Sequence, residues 1–160
     1  MTRSYCELRK LLTPVGDRQV DMRRFVDAAW ETLGTQGVSW IGFYLPGEPG
    51  ELVLGPSRNK PACSPIGLHG ACGRAWRAQQ PLIVTDVARL GADYIACDPR
   101  DRAELVIPLF EADGGCWGVL DVDSHEPGAF DRADLCELAE LLVLMHLGVA
   151  DDRLTAPIVI

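Results

Sequence analysis

Apolar and polar positions repeat with two different periods along this chain. Over residues 17–33 the apolar residues Phe25, Val26, Ala29, Trp30 and Leu33 recur at steps of three and four, while Val20, Arg24 and Asp27 fall off the stripe. That spacing predicts a helix with one buried face, ended by Gly34. The period then drops to two. VSWIGFYL, residues 38–45, reads as a strand, PGEPG as a turn and ELVLGP as the returning strand. A short helix is expected over 69–79, stopped before Pro81, and then the strand PLIVTDV. Residues 86–102 carry neither period, and a loop of that length suggests function. ELVIPLF and CWGVLDVDS read as two more strands joined by EADGG. A second helix is expected over 131–147, with Leu135, Leu138, Leu142 and Met145 on one side and Gly148 at its end. The apolar tail APIVI is expected to lie on the body or on a partner.

Strands joined by tight turns argue for an antiparallel sheet. Two long helices near the chain ends pack most simply on one sheet face, an α+β layer that leaves the other face open for a pocket. Strand side chains alternate between faces. The apolar sets Ile41, Phe43, Leu45 and Leu105, Ile107, Leu109 belong against the helices. The opposite sets bring Trp40 and Tyr44 together with Glu104, Asp121 and Asp123, with Gly42 leaving a gap between the two rings. Such a face is either the solvated side of a half-exposed sheet or the wall of a site. Aspartates at i and i+2 repel each other; in a pocket they can hold a cation, or one can keep a proton near neutral pH.

Composition narrows the function classes. A chain of 160 residues suits one domain with a full core, expected over about 17–148. The net charge of −8 excludes a nucleic-acid backbone as a natural partner. No apolar run approaches the ~20 residues that span a bilayer, and MTRSYCELRKLLTPVGD lacks the apolar core of a secretion signal. The expected setting is the cytoplasm, where thiols are mostly reduced and a disulfide is transient or catalytic. Against that background six cysteines need a reason. Cys116 and Cys136 are expected to be packing residues, and Cys6 is assigned no role. Cys63, Cys72 and Cys97 lie among glycines, prolines and charges, in or beside loops that border the open face. Their spacings of nine and twenty-five residues do not suit zinc, which favours close pairs, so no metal is expected. Cys72 falls near a helix start, where free backbone N–H groups favour a thiolate. One reactive thiol with a second within reach can run a redox cycle through a sulfenic acid and a disulfide. Spacing alone does not say which thiols pair, nor what is reduced.

The segments WIGFYL, LVLGP, KPAC, GACG, IACD, ELVIPL and GVLDVDS, in that order, resemble those of the free methionine-(R)-sulfoxide reductases, which are stand-alone GAF domains. The likeness covers roughly residues 40–131. It implies a GAF fold of about six antiparallel strands across a single domain, 1–160. It implies an enzyme that reduces free L-methionine-(R)-sulfoxide without a cofactor. It implies Cys97 in IACD as the catalytic cysteine, Cys63 in KPAC as the resolving cysteine that forms a disulfide with it, and Cys72 in GACG as a third, auxiliary cysteine. Trp40 and Tyr44 correspond to the aromatic wall of the substrate pocket and Glu104, Asp121 and Asp123 to its acidic residues, with Asp123 or Glu104 as the proton donor. Thioredoxin is the implied reductant; no nucleic acid or membrane is involved, and a homodimer stays open. The alternative from another class is a GAF sensor module that binds a small ligand without catalysis.

Overall fold

The 17–33 stripe becomes helix α2, Arg18–Leu33, whose N-cap Asp17 accepts a hydrogen bond from the Val20 backbone N–H at 2.9 Å. Phe25, Val26, Ala29 and Leu33 are buried and Val20 is exposed, so the stripe marks the buried face. The computed structural model describes residues 3–59, 62–91, 94 and 96–160. Lys60 and Pro61 of KPAC and Ile95 of IACD, with part of the expected loop, lie outside the described residues.

The strands are β1 (Trp40–Pro46), β2 (Glu51–Arg58), β3 (Ile66–Gly67), β4 (Leu82–Val84), β5 (Ala103–Phe110), β6 (Cys116–Ser124) and β7 (Ile158–Val159). They form one sheet in the order β3-β2-β1-β6-β5-β4-β7. The expected six antiparallel strands are β1–β6. The APIVI tail adds β7, a seventh strand among the described residues, parallel to β4. The Ile158 N–H donates to the Pro81 carbonyl at 2.8 Å and the Ile160 N–H to that of Ile83 at 2.9 Å. Beyond Val84 the expected strand PLIVTDV stops. The Thr85 N–H and hydroxyl both turn to the Ile160 carbonyl, at 2.7 and 2.6 Å, and Asp86 caps a short 3₁₀ turn.

One sheet face carries the large core. Ile41, Phe43, Leu105, Ile107, Leu109, Leu120 and Val122 pack there against α2, the C-terminal helix α4 (Arg132–Leu144) and an N-terminal helix α1 (Tyr5–Leu11) that periodicity did not reveal. The remaining helix α3, Ala71–Ala78, lies on the opposite face with Trp40, Tyr44, Leu52, Val106 and Val119. The cysteine expectation also changes. Cys136 is exposed because it falls off the α4 stripe of Leu135, Leu138, Leu141 and Leu142, and Cys6 is exposed on α1. Cys116 is half-buried. Helix α4 ends earlier than Gly148. His146 takes φ 56° and the Leu147 N–H returns to the Leu142 carbonyl at 2.9 Å, which brings Leu147 down onto the core.

Asp134 joins the two chain ends. It completes a capping box with Asp131 at the start of α4, and its Oδ1 accepts from Arg3 Nη1 at 2.8 Å and from the Tyr5 hydroxyl at 2.7 Å. Both charges are buried, so removing one strands the other. Asp134→Ala should lower stability by ~3–5 kcal/mol in urea denaturation. A loss below ~1 kcal/mol, the range of an exposed pair, would show that this junction does not hold the helices.

Candidate active site

Sheet register builds the site. On the face opposite the large core, Trp40 of β1 pairs with Asp123 of β6, which pairs with Glu104 of β5. One pleat along, Gly42 pairs with Asp121, which pairs with Val106; beyond that Tyr44 pairs with Val119. Directly opposed residues on one face bring their side chains close together, so two carboxyls are adjacent across strands and the third is two residues along. The Trp40 and Tyr44 rings stack with centroids 6.0 Å apart and planes 29° apart. Gly42 does not leave the expected gap: the Trp40 indole lies across it, and a Cβ there would collide with that ring and with Ser57.

These residues line a cavity of about 330 Å³ that also receives Cys63, Cys72 and Cys97. All eight residues singled out from the sequence therefore meet at one place. Cys63 and Cys97 are joined in a disulfide, with Cα atoms 5.6 Å apart. The Tyr44 hydroxyl donates to the Cys63 carbonyl at 2.8 Å, tying that segment to the aromatic wall.

Cys72 departs from expectation. It is the second residue of α3 and is buried, and its Sγ donates to Asp121 Oδ2 at 3.2 Å. Burial, then the charges of Asp121 and Glu104, push its thiol well above the usual range. The helix start favours a thiolate by at most ~2 kcal/mol and is outweighed. Gly73 seats the helix, since a Cβ there would run into the Leu68 backbone.

No lysine or arginine lines the cavity among the described residues. Burial, then the Asp121 charge, raises Glu104 well above the ordinary carboxyl range. Burial, then Asp121 and Glu104, does the same to Asp123. Burial raises Asp121 to about 7, opposed by the hydrogen bond from Cys72 and by one from Glu104. Asp121 Oδ1 has no standing donor and Trp40 Nε1–H no acceptor among the described residues, so the former is left to the Glu104 proton or to a ligand.

Sequence reasoning missed Tyr94, whose hydroxyl donates to Glu104 Oε2 at 3.3 Å, and Asp101, buried at the rim and accepting from the Ser39 hydroxyl at 3.1 Å. Both sit in the aperiodic loop, where the only signal was nearness to Cys97. The loop is pinned beyond Cys97: Asp98 takes the Arg100 guanidinium, which holds its carboxyl below the usual range, and His125 Nε2 lies 3.4 Å from Asp98 and 3.6 Å from Asp101. Two groups have metal-ligand proximity, Cys72 with Glu104 and Asp121, and Asp98 with Asp101 and His125. The first is the cavity wall, and in the second Arg100 already occupies Asp98.

Residues 18–146 match the family model for the GAF domain. The free methionine-R-sulfoxide reductase of Saccharomyces cerevisiae is 37% identical over 121 residues, 74% of this chain. The match spans 66% of that relative's length. The free methionine-R-sulfoxide reductase of Neisseria meningitidis, solved with its substrate, superposes with a TM-score of 0.77 at 34% identity, over 88% of this chain and 83% of that one. The reduced form of the Staphylococcus aureus protein designated fRMsr gives 0.79 at 28% identity, over 97% of each chain. The chain belongs to the GAF-domain family and, within it, to the free methionine-R-sulfoxide reductase family.

The raised carboxyls fix the sign of a pH effect. Asp121 is protonated at pH 6 in the folded state and ionised in the unfolded state, so raising the pH removes protons from the fold alone and lowers stability. For a group at about 7 against ~4 unfolded, the ligand-free protein should lose about 1.4 kcal/mol between pH 6 and 8 through this residue. Asp121→Asn should lack that share of the loss in denaturation curves at the two pH values. Parallel losses in both proteins would refute the assignment.

Proposed function

We propose that the protein reduces free L-methionine-(R)-sulfoxide to methionine in the cytoplasm as a single domain, with thioredoxin as reductant. The observation that carries this reading is a Cys63–Cys97 disulfide at a cavity whose wall pairs two aromatic rings with three carboxyls and, among the described residues, no lysine or arginine. The named activity of the yeast and Neisseria relatives supports it.

The substrate's ammonium supplies the cation that the carboxyls lack, and its S-methyl group packs on the Trp40 indole, worth on the order of 1 kcal/mol. Glu104 or Asp123, kept protonated, donates to the sulfoxide oxygen and makes the sulfur electrophilic. With the disulfide open, the Cys97 thiolate attacks that sulfur and forms an S–S bond; the protonated oxygen passes from the substrate sulfur to Cys97 Sγ as that S–S bond breaks, methionine leaves with the electron pair and Cys97 is left as a sulfenic acid. The Cys63 thiol then attacks Cys97 Sγ, water leaves and the disulfide closes. A thioredoxin dithiol supplies the two electrons that reopen it. Tyr44 serves recycling as well as binding, because its hydroxyl holds the Cys63 carbonyl.

The test is turnover of free Met-(R)-sulfoxide, free Met-(S)-sulfoxide and a peptide sulfoxide with a thioredoxin system. Only the first should be consumed; inertness to all three would favour a ligand-binding sensor. Cys97→Ser should release no methionine even in a single turnover, since a neutral hydroxyl is a far poorer nucleophile than a thiolate. Cys63→Ser should release one methionine per protein and then stall. Sustained cycling by Cys63→Ser would move the resolving role elsewhere.

A further inference from the structure

Cys72 is a buried nucleophilic side chain that the cycle above does not use. It faces the sheet from α3, is 4% exposed, and its Sγ stands 3.2 Å from Asp121 Oδ2. We infer that Cys72 is a positioning residue: its thiol stays an S–H donor to Asp121 and thereby decides which carboxyl of the cavity ionises first. The inference rests on the reading of the cavity as a methionine sulfoxide site, and it assigns Cys72 a role outside the redox chemistry.

The groups that face Asp121 show why one thiol can set the order. Glu104 comes from β5, Asp123 from its own strand, and Tyr94 and Asp101 from the Cys97 loop; His69 lines the cavity from the turn before α3. The Tyr44 hydroxyl is committed to the Cys63 carbonyl and the Tyr94 hydroxyl to Glu104. Apart from the Glu104 proton, Cys72 is the side chain that donates to Asp121 among the described residues. Three carboxyls so close cannot all ionise without a cation. A donor on one of them favours its charged form and leaves the proton with its neighbours. Charge is thus kept on Asp121, where it can meet the substrate's ammonium. The proton is kept on Glu104 or Asp123, where it can reach the sulfoxide oxygen. A thiol suits this place because, held protonated, it is a poor nucleophile and does not compete with Cys63 for the sulfenic acid.

The test uses Cys72→Ala and Cys72→Ser in the full chain. Removing the donor disfavours ionised Asp121, so the acid limb of the kcat/KM profile for free Met-(R)-sulfoxide should move up by about one pH unit in Cys72→Ala. Cys72→Ser keeps a donor and should return the limb most of the way. A packing role would lower stability in Cys72→Ala without moving the limb, so an unmoved limb overturns the inference. So does a Cys72→Ser enzyme that completes a first turnover and then stalls, since that marks a redox role. Infrared spectroscopy of the S–H stretch needs no turnover. The band lost in Cys72→Ser should shift to higher frequency in Asp121→Ala, as an S–H freed from its acceptor stiffens; an unshifted band means there is no hydrogen bond. A wild type inert towards the sulfoxide would remove the reading of the cavity, whereas an unshifted band removes this role for Cys72.

Discussion

Three carboxyl groups share the wall of one cavity, with a fourth, Asp101, at its rim and no lysine or arginine among the described residues, and like charges in a poorly solvated space cannot all persist. Each must keep a proton, receive a donor or wait for a cation. The site is organised around that condition. Tyr94 gives its hydroxyl to Glu104, Cys72 gives its thiol to Asp121, and the remaining deficit matches a ligand with one positive end. A lysine within the cavity would settle the electrostatics permanently and leave nothing for the ligand to contribute. The acidic wall can therefore combine recognition with proton storage: the absence of a fixed cation that suits a positively charged ligand also favours the neutral form of its carboxyls.

The opposite face makes that arrangement affordable. Burial of Phe25, Phe43, Leu105, Ile107 and Leu120 between sheet and helices stabilises a fold that carries several uncompensated groups elsewhere. The chain ends contribute through a single residue, Asp134, which caps α4 and binds Arg3 and Tyr5. Helices on one side and chemistry on the other is a division of labour set by strand alternation. A one-residue slip of β6 would turn Asp121 and Asp123 into the helical core.

Where the signal was local, the sequence was readable. Asp17 before an apolar stripe gave α2, and the alternation in WIGFYL, ELVIPLF and GVLDVDS sorted core residues from wall residues. The cysteine pairing came from resemblance, since spacing left it open. What stayed hidden depends on contacts far apart in the chain. Helix α1 is seven residues long and is held through Tyr5 by a partner 129 positions away. Strand β7 exists because Ile158 and Ile160 find Pro81 and Ile83. The state of Cys72 reversed because its position near a helix start is a local fact, while its burial against Asp121, 49 residues on, is not. Tyr94 and Asp101 lay in a stretch with no period from which to read a direction.

The Tyr44 hydroxyl bond to the Cys63 carbonyl has an evolutionary consequence. One phenol is both a wall of the cavity and a tether for a disulfide cysteine. A change at Tyr44 that admits a bulkier ligand also displaces one half of the Cys63–Cys97 disulfide, so two selective pressures meet on one side chain. Descendants of this chain that adopt a new ligand have freer paths through the short Ile66–Gly67 edge, which lines the same cavity and holds neither sulfur. Divergence of specificity within such a scaffold should begin at that edge and reach the aromatic pair last.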